Sequence, residues 1–141
     1  MTQFGHDSQG RIIVHRLGHV AIRVQDMNRA KNFYQGLGLS LVWDATDWAY
    51  LRLANSNNGI ALLSPEYKDA GPHFAFHFST KEEIELIRLQ FIDKGYEVGA
   101  IHDHRDGTSS FYLQDPESNW LEILYEPTEG IHSKLNPKLI Q

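Results

Sequence analysis

The strongest constraint on this chain is an internal repeat. His19-Val-Ala21, inside the alternating segment Arg16–Val24, recurs as His73-Phe-Ala75 inside the alternating segment Pro72–Phe78. Tyr50-Leu51 recurs as Tyr112-Leu113, and Gly59-Ile-Ala61-Leu-Leu63 as Trp120-Leu-Glu122-Ile-Leu124, in the same order and at similar spacing. Repetition of this kind means that one supersecondary unit is used twice, each copy burying its apolar face against a neighbour.

Within each copy the pattern is one strand, one helix and three strands. In the first, Val20, Ile22 and Val24 share one face of a strand, and His19, Ala21 and Arg23 share the other. Asp26 is placed as an N-cap, and Met27, Ala30, Phe33, Tyr34 and Leu37 form a helical stripe closed by Gly36 or Gly38. Strands are expected at Ser40–Trp43, Trp48–Leu53 and Gly59–Leu63. In the second copy Phe74, Phe76 and Phe78 oppose His73, Ala75 and His77. Thr80-Lys-Glu-Glu83 reads as a capping box, Ile84, Ile87 and Phe91 as the helix stripe, and Gly95 as its C-cap. Strands are expected at Tyr96–Ile101, Thr108–Leu113 and Trp120–Tyr125. The fold class is therefore α+β: two βαβββ modules, at about 15–65 and 72–127, in a single domain spanning 1–141. The polar start and the proline-bearing tail from Glu126 read as loose ends.

Composition removes several function classes. A chain of 141 residues with 41% hydrophobic content can bury a core without staples. It has no cysteine, which excludes disulfide frameworks, thiol nucleophiles and Cys-ligated metals. A net charge of −5 without a basic stretch argues against nucleic acid as a partner. No apolar run is long enough to span a membrane, and the first residues lack a secretory h-region, so a cytoplasmic location is expected. Any metal must be held by His, Asp or Glu.

Three residues stand out as such ligands. A lone His in an apolar strand is usually structural, but His19 and His73 open equivalent strands and face away from the helices. If the modules pair about a pseudo-twofold axis, both imidazoles enter one hollow. Glu122 lies in the otherwise apolar Trp120–Tyr125 strand, where a carboxylate is costly to bury without a cation or strong donor. Two histidines and a carboxylate make a facial triad with about three open positions on a six-coordinate ion. His102 and His104, in His-Asp-His-Arg-Asp-Gly, lie in a loop beside the expected pocket and could act as acid or base. His77 shares the His73 face but lies four residues, roughly 13 Å, along the strand. That distance places it outside the triad. Trp43, Trp48, Tyr50 and Phe111 are candidates for an aromatic pocket wall or for core.

The segments GHVAIRVQDMNRAKNFYQGLGL, GPHFAFHF and SSFYLQDPESNWLEILYEP resemble the vicinal oxygen chelate superfamily. That group includes glyoxalase I, extradiol ring-cleaving dioxygenases, fosfomycin-resistance transferases and bleomycin-binding proteins. The resemblance runs from about Leu17 to Glu126. It implies an open, barrel-like mixed sheet around one divalent metal, with the ligand positions falling on His19, His73 and Glu122. Fe(II) is the favoured ion, with Mn, Zn, Ni or Co as alternatives. The resemblance also implies a small-molecule substrate and a homodimer.

At the place where glyoxalase-like members supply a further ligand, this chain has Ala61, which is also the repeat counterpart of Glu122. A methyl group binds no metal, so the site is similar to the three-ligand members. Tyr112, ten residues before Glu122, matches the tyrosine that contacts substrate oxygen in ring-cleaving members. Asn57 and Asn58 stand where those members carry an acid–base histidine. The expected function is a divalent-metal enzyme, with extradiol-type ring cleavage as the leading reaction and Tyr112, His102 and His104 as catalytic candidates. Glyoxalase-like lyase or isomerase chemistry is the alternative, followed by a fosfomycin-type transferase. A non-enzymatic, bleomycin-type binder is the reading from another class.

Overall fold

The computed structural model describes residues 8–127. The elements are β1 (Leu17–Arg23), α1 (Met27–Gly36), β2 (Ser40–Asp44), β3 (Trp48–Arg52), β4 (Gly59–Leu63), β5 (His73–Phe78), α2 (Lys81–Asp93), β6 (His102–Asp103), β7 (Ser109–Gln114) and β8 (Trp120–Tyr125). All strands join one eight-stranded mixed sheet in the order β2-β3-β4-β1-β5-β8-β7-β6. Each half thus reads outward from its first strand in the same way. β1 pairs parallel with β4 and β5 parallel with β8, while β1 and β5 meet antiparallel at the centre. Such an order is that of a two-βαβββ sheet with a pseudo-twofold axis through the β1–β5 seam.

The registers bear out the repeat. Ala21 pairs with Ala61 in the first half, and Ala75 pairs with Glu122 in the second. Tyr50 lies opposite Ala61, and Tyr112 lies opposite Glu122. Ala61 and Glu122 are therefore structural counterparts.

The helices form as their caps predict. Asp26 accepts from the Arg29 amide at 3.0 Å, and Thr80 and Glu83 complete a reciprocal capping box. Loss of such a cap costs about 1 kcal/mol. α1 covers the outer side of the first half, over Ala49, Leu51 and Leu62 with Ile22 and Tyr34. The second half buries Ile84 and Ile87 of α2 against Phe78, Phe111 and Ile123. Alternation then directs the remaining side chains of the strands to the inner face. None of the helices among the described residues is long and apolar enough to cross a membrane.

Two expectations need correction. Tyr96–Ile101 is not a strand: Val98 alone bridges to Leu113, and the short β6 lies beyond it at His102–Asp103. The Gly99 amide donates to the Tyr112 carbonyl and its own carbonyl accepts from Arg88, so the segment leaves β7 after isolated contacts and forms no ladder. Glu126, assigned to the loose tail, is buried, with its amide donating to the Phe78 carbonyl. The rest of that tail, 128–141, and residues 1–7 lie outside the described residues.

Candidate metal centre

The inner face of the sheet presents His19 from β1, His73 from β5 and Glu122 from β8, all with buried side chains. His19 Nε2 and His73 Nε2 each lie 3.1 Å from Glu122 Oε1 and 3.4 Å from each other. The three groups form a set able to hold a metal ion, the only such set of three or more among the described residues. Separations of 3.1–3.4 Å are those of donors sharing one ion at about 2.1 Å.

Hydrogen bonding behind the ligands sharpens this fit. His73 Nδ1 lies 2.8 Å from the Gly71 carbonyl, which can only accept. In the neutral imidazole the proton therefore sits on Nδ1, and the Nε2 lone pair faces the carboxylate oxygen. Two acceptors in contact require protons or a metal cation between them. Burial alone would raise the Glu122 carboxyl, but hydrogen bonding and charge from His19 and His73 outweigh it and hold the group well below the usual range. The other carboxylate oxygen accepts from the Ser110 hydroxyl, which in turn takes a 2.6 Å hydrogen bond with His104 Nε2.

The repeat shapes the surroundings as well. Tyr50 stands edge-on to His19 with ring centroids 5.8 Å apart, and Tyr112 stands edge-on to His73 at 5.1 Å. The fourth corner of this arrangement is the methyl group of Ala61, which leaves one side of the cluster open. A cavity of about 190 Å³ opens there, lined among others by Trp48, Tyr67, Tyr112, His104 and Arg105. Its mouth is fixed from both modules. Arg23 donates to the carbonyls of Ser64 and Tyr67 and pins the connection between the halves. Arg105 reaches from the second half over the Trp43 ring and to Asp47 of the first. Burial, then the Glu122 charge, push the Tyr112 hydroxyl far above its ordinary value. Burial and nearby carboxylates likewise push Tyr67 up to about 12.

The sequence candidates divide accordingly. His19, His73, Glu122 and Tyr112 are brought together, and His104 lines the same cavity. His102 is exposed on β6 and borders an adjoining hollow with Tyr67 and Tyr112. Trp48 and Tyr50 line the cavity, whereas Phe111 belongs to the core beneath α2. Asn57 and Asn58 bind Arg16, through a backbone carbonyl at 2.5 Å and a side-chain oxygen at 2.9 Å. Sequence reasoning missed the contact behind His19: its Nδ1 lies 2.8 Å from His77 Nε2, and His77 Nδ1 lies 2.7 Å from Glu126 Oε1. The 13 Å reckoned along β5 from His73 is no guide here, because His19 reaches His77 across the seam.

A duplicated βαβββ sheet with two imidazoles and a carboxylate converging in its hollow defines the class of this protein. Residues 16–123 match the model of the Glyoxalase/Bleomycin resistance protein/Dioxygenase superfamily, and the chain belongs to that family. Among solved structures, methylmalonyl-CoA epimerase from Mycobacterium tuberculosis is similar at 20% identity and a TM-score of 0.64, covering 88% of this chain and 90% of its own. A 2,2',3-trihydroxybiphenyl 1,2-dioxygenase from Sphingomonas wittichii strain RW1 matches at 23% identity and 0.64, over 86% of this chain and 44% of its own. Homoprotocatechuate 2,3-dioxygenase from Arthrobacter globiformis matches at 20% and 0.66, over 88% and 40% respectively. At these identities the likeness is one of fold. No curated protein matches the sequence.

Proposed function

We propose that His19, His73 and Glu122 hold one divalent metal ion, Fe(II) by preference, and that the protein is an extradiol-type ring-cleaving dioxygenase acting on a small compound with two neighbouring oxygens. The observation that carries this reading is the convergence of three metal-competent atoms beside the open position left by Ala61. When bound, a divalent ion would supply positive charge that lowers the pKa of substrate hydroxyls and stabilises developing negative charge. The chain supplies the rest. Trp48, Tyr50 and Tyr67 offer aromatic walls that exclude water from a planar ring. Tyr112, held protonated, donates a hydrogen bond to a substrate oxygen. His104, on the cavity wall and joined through Ser110 to Glu122, is the imidazole placed to accept a substrate proton.

Protein loaded anaerobically with Fe(II) should bind catechol-like diols and, on admission of oxygen, consume it and form a yellow ring-opened product. His73→Ala should lose nearly all metal while keeping its circular dichroism spectrum, and unchanged metal content in that variant overturns the ligand set. Turnover of a glutathione hemithioacetal with Ni(II), Co(II) or Zn(II), with no oxygen uptake on any diol, would replace the dioxygenase reading with isomerase or lyase chemistry.

The chain is further proposed to form a homodimer. β2 and the two-residue β6 are the sheet edges, with no further strand beside them among the described residues, and Phe33 and Leu37 are exposed on and beside α1. Sedimentation showing only a monomer at micromolar concentration overturns it.

A further inference from the structure

We propose that His77 and Glu126 are a positioning pair that fixes the tautomer and direction of His19, making it the more strongly held of the two imidazole ligands. This inference rests on the reading that His19, His73 and Glu122 bind a metal. Proton directions along the pair follow from chemistry. A carboxylate only accepts, so His77 donates from Nδ1 to Glu126 Oε1 at 2.7 Å. The neutral His77 ring then accepts at Nε2, so His19 donates from Nδ1 at 2.8 Å. The lone pair of His19 is thereby committed to Nε2, the atom that faces Glu122 and His73. Arg16, 3.2 Å from Glu126 Oε1 and tied to Asn57 and Asn58, anchors the far end.

The arrangement is built for this contact. The His77 side chain is fully buried and does not line the cavity, so it meets no substrate. Room for its ring exists because residue 18 is glycine at an irregularity of the β1–β5 register: a Cβ there would lie 2.0 Å from His77 Cγ. The comparison with His73 gives the asymmetry. His73 is backed by a neutral backbone carbonyl, whereas His19 is backed through a second imidazole by an anion. Hydrogen bonding to a carboxylate raises the basicity of a ligating imidazole, and loss of such a partner typically costs roughly 10–100-fold in metal affinity.

Two readouts at pH 8 test the proposal in the full chain: 1H–15N imidazole spectra of the Zn(II)-loaded protein, and Co(II) titration followed by the visible spectrum. Wild type should show a His19 Nδ1 proton shifted strongly downfield by its hydrogen bond to His77. In His77→Leu that downfield shift should be lost and Co(II) affinity fall roughly 10–100-fold. His77→Gln, which offers His19 a carbonyl acceptor, should restore much of both, and Glu126→Gln should give intermediate values if the leucine variant does not fold. A wild-type His19 Nδ1 proton without that shift, or the same shift and affinity in all variants, overturns the proposal. If wild type binds neither Zn(II) nor Co(II), the metal reading fails; metal bound with unchanged affinity in His77→Leu overturns this proposal alone.

Discussion

Ala61 and Glu122 occupy the same place in the two halves of the sheet, the one opposite Ala21 and Tyr50, the other opposite Ala75 and Tyr112. One half therefore contributes a methyl group where the other contributes a carboxylate. In the proposed reading, this single difference sets the number of protein ligands and the side left open to a substrate.

Ala61→Glu should close that side. A second carboxylate would supply a fourth ligand, slowing metal loss to a chelator by roughly tenfold, about 1.4 kcal/mol. Diol binding should be abolished, and titration of the Fe(II) protein with catechol, followed by its charge-transfer absorbance, checks both parts.

Tyr112→Phe should leave metal content unchanged and lower kcat by roughly 100-fold, the scale of one lost proton-donating group. Steady-state oxygen uptake against metal analysis separates the two effects. Loss of metal in this variant would make Tyr112 a structural support of His73, whose ring it meets edge-on.

Gly18→Ala should be strongly disruptive for so small a change. The added methyl would fall on the His77 ring, and overpacking of this kind costs roughly 1–3 kcal/mol. A fall in Tm of several degrees, with weakened Co(II) binding, is expected from thermal melts and titration. A melt equal to wild type would mean that His77 has another rotamer open to it.

Glu126→Gln should change how stability depends on pH in the metal-free protein. Burial raises the Glu126 carboxyl, but the His77 hydrogen bond and the His77 and Arg16 charges outweigh it, so its pKa lies below the ordinary 4.5 when folded. A depressed carboxyl stabilises the fold above its unfolded pKa, and this stabilisation disappears as pH falls through the folded value. Wild type should therefore exceed the variant in urea melts above pH about 4.5 and converge with it in more acidic buffer. A gap that persists unchanged at low pH would show that packing, and not charge, supports Glu126.

Much of this site is legible in the sequence because it is repeated. His19, His73 and Glu122 lie on strands whose alternation and order recur, and a period-two pattern tells which face each side chain takes. Ala61 is legible for the same reason. The His77–Glu126 pair is not, since it depends on the antiparallel register of β1 against β5 and on the irregularity between Leu17 and His19. Alternation specifies a face but not which neighbour lies across the seam. The segment 96–101 misled because its residues suit a strand, while its edge pairing with β7 reduces to Val98 and Gly99.

The seam between β1 and β5 has a thermodynamic consequence. His19 belongs to the first module, and His73 and Glu122 belong to the second. An ion bound as proposed would thus be a strut between two halves whose covalent tie is the short stretch 64–72. Because these three side chains meet only when the halves are docked, the ion would add RT ln(1 + [L]/Kd) to docking, about 2.7 kcal/mol at a hundredfold excess over Kd. Separation of the halves and release of the ion should then become one event, and protein loaded with metal should melt as a single cooperative unit.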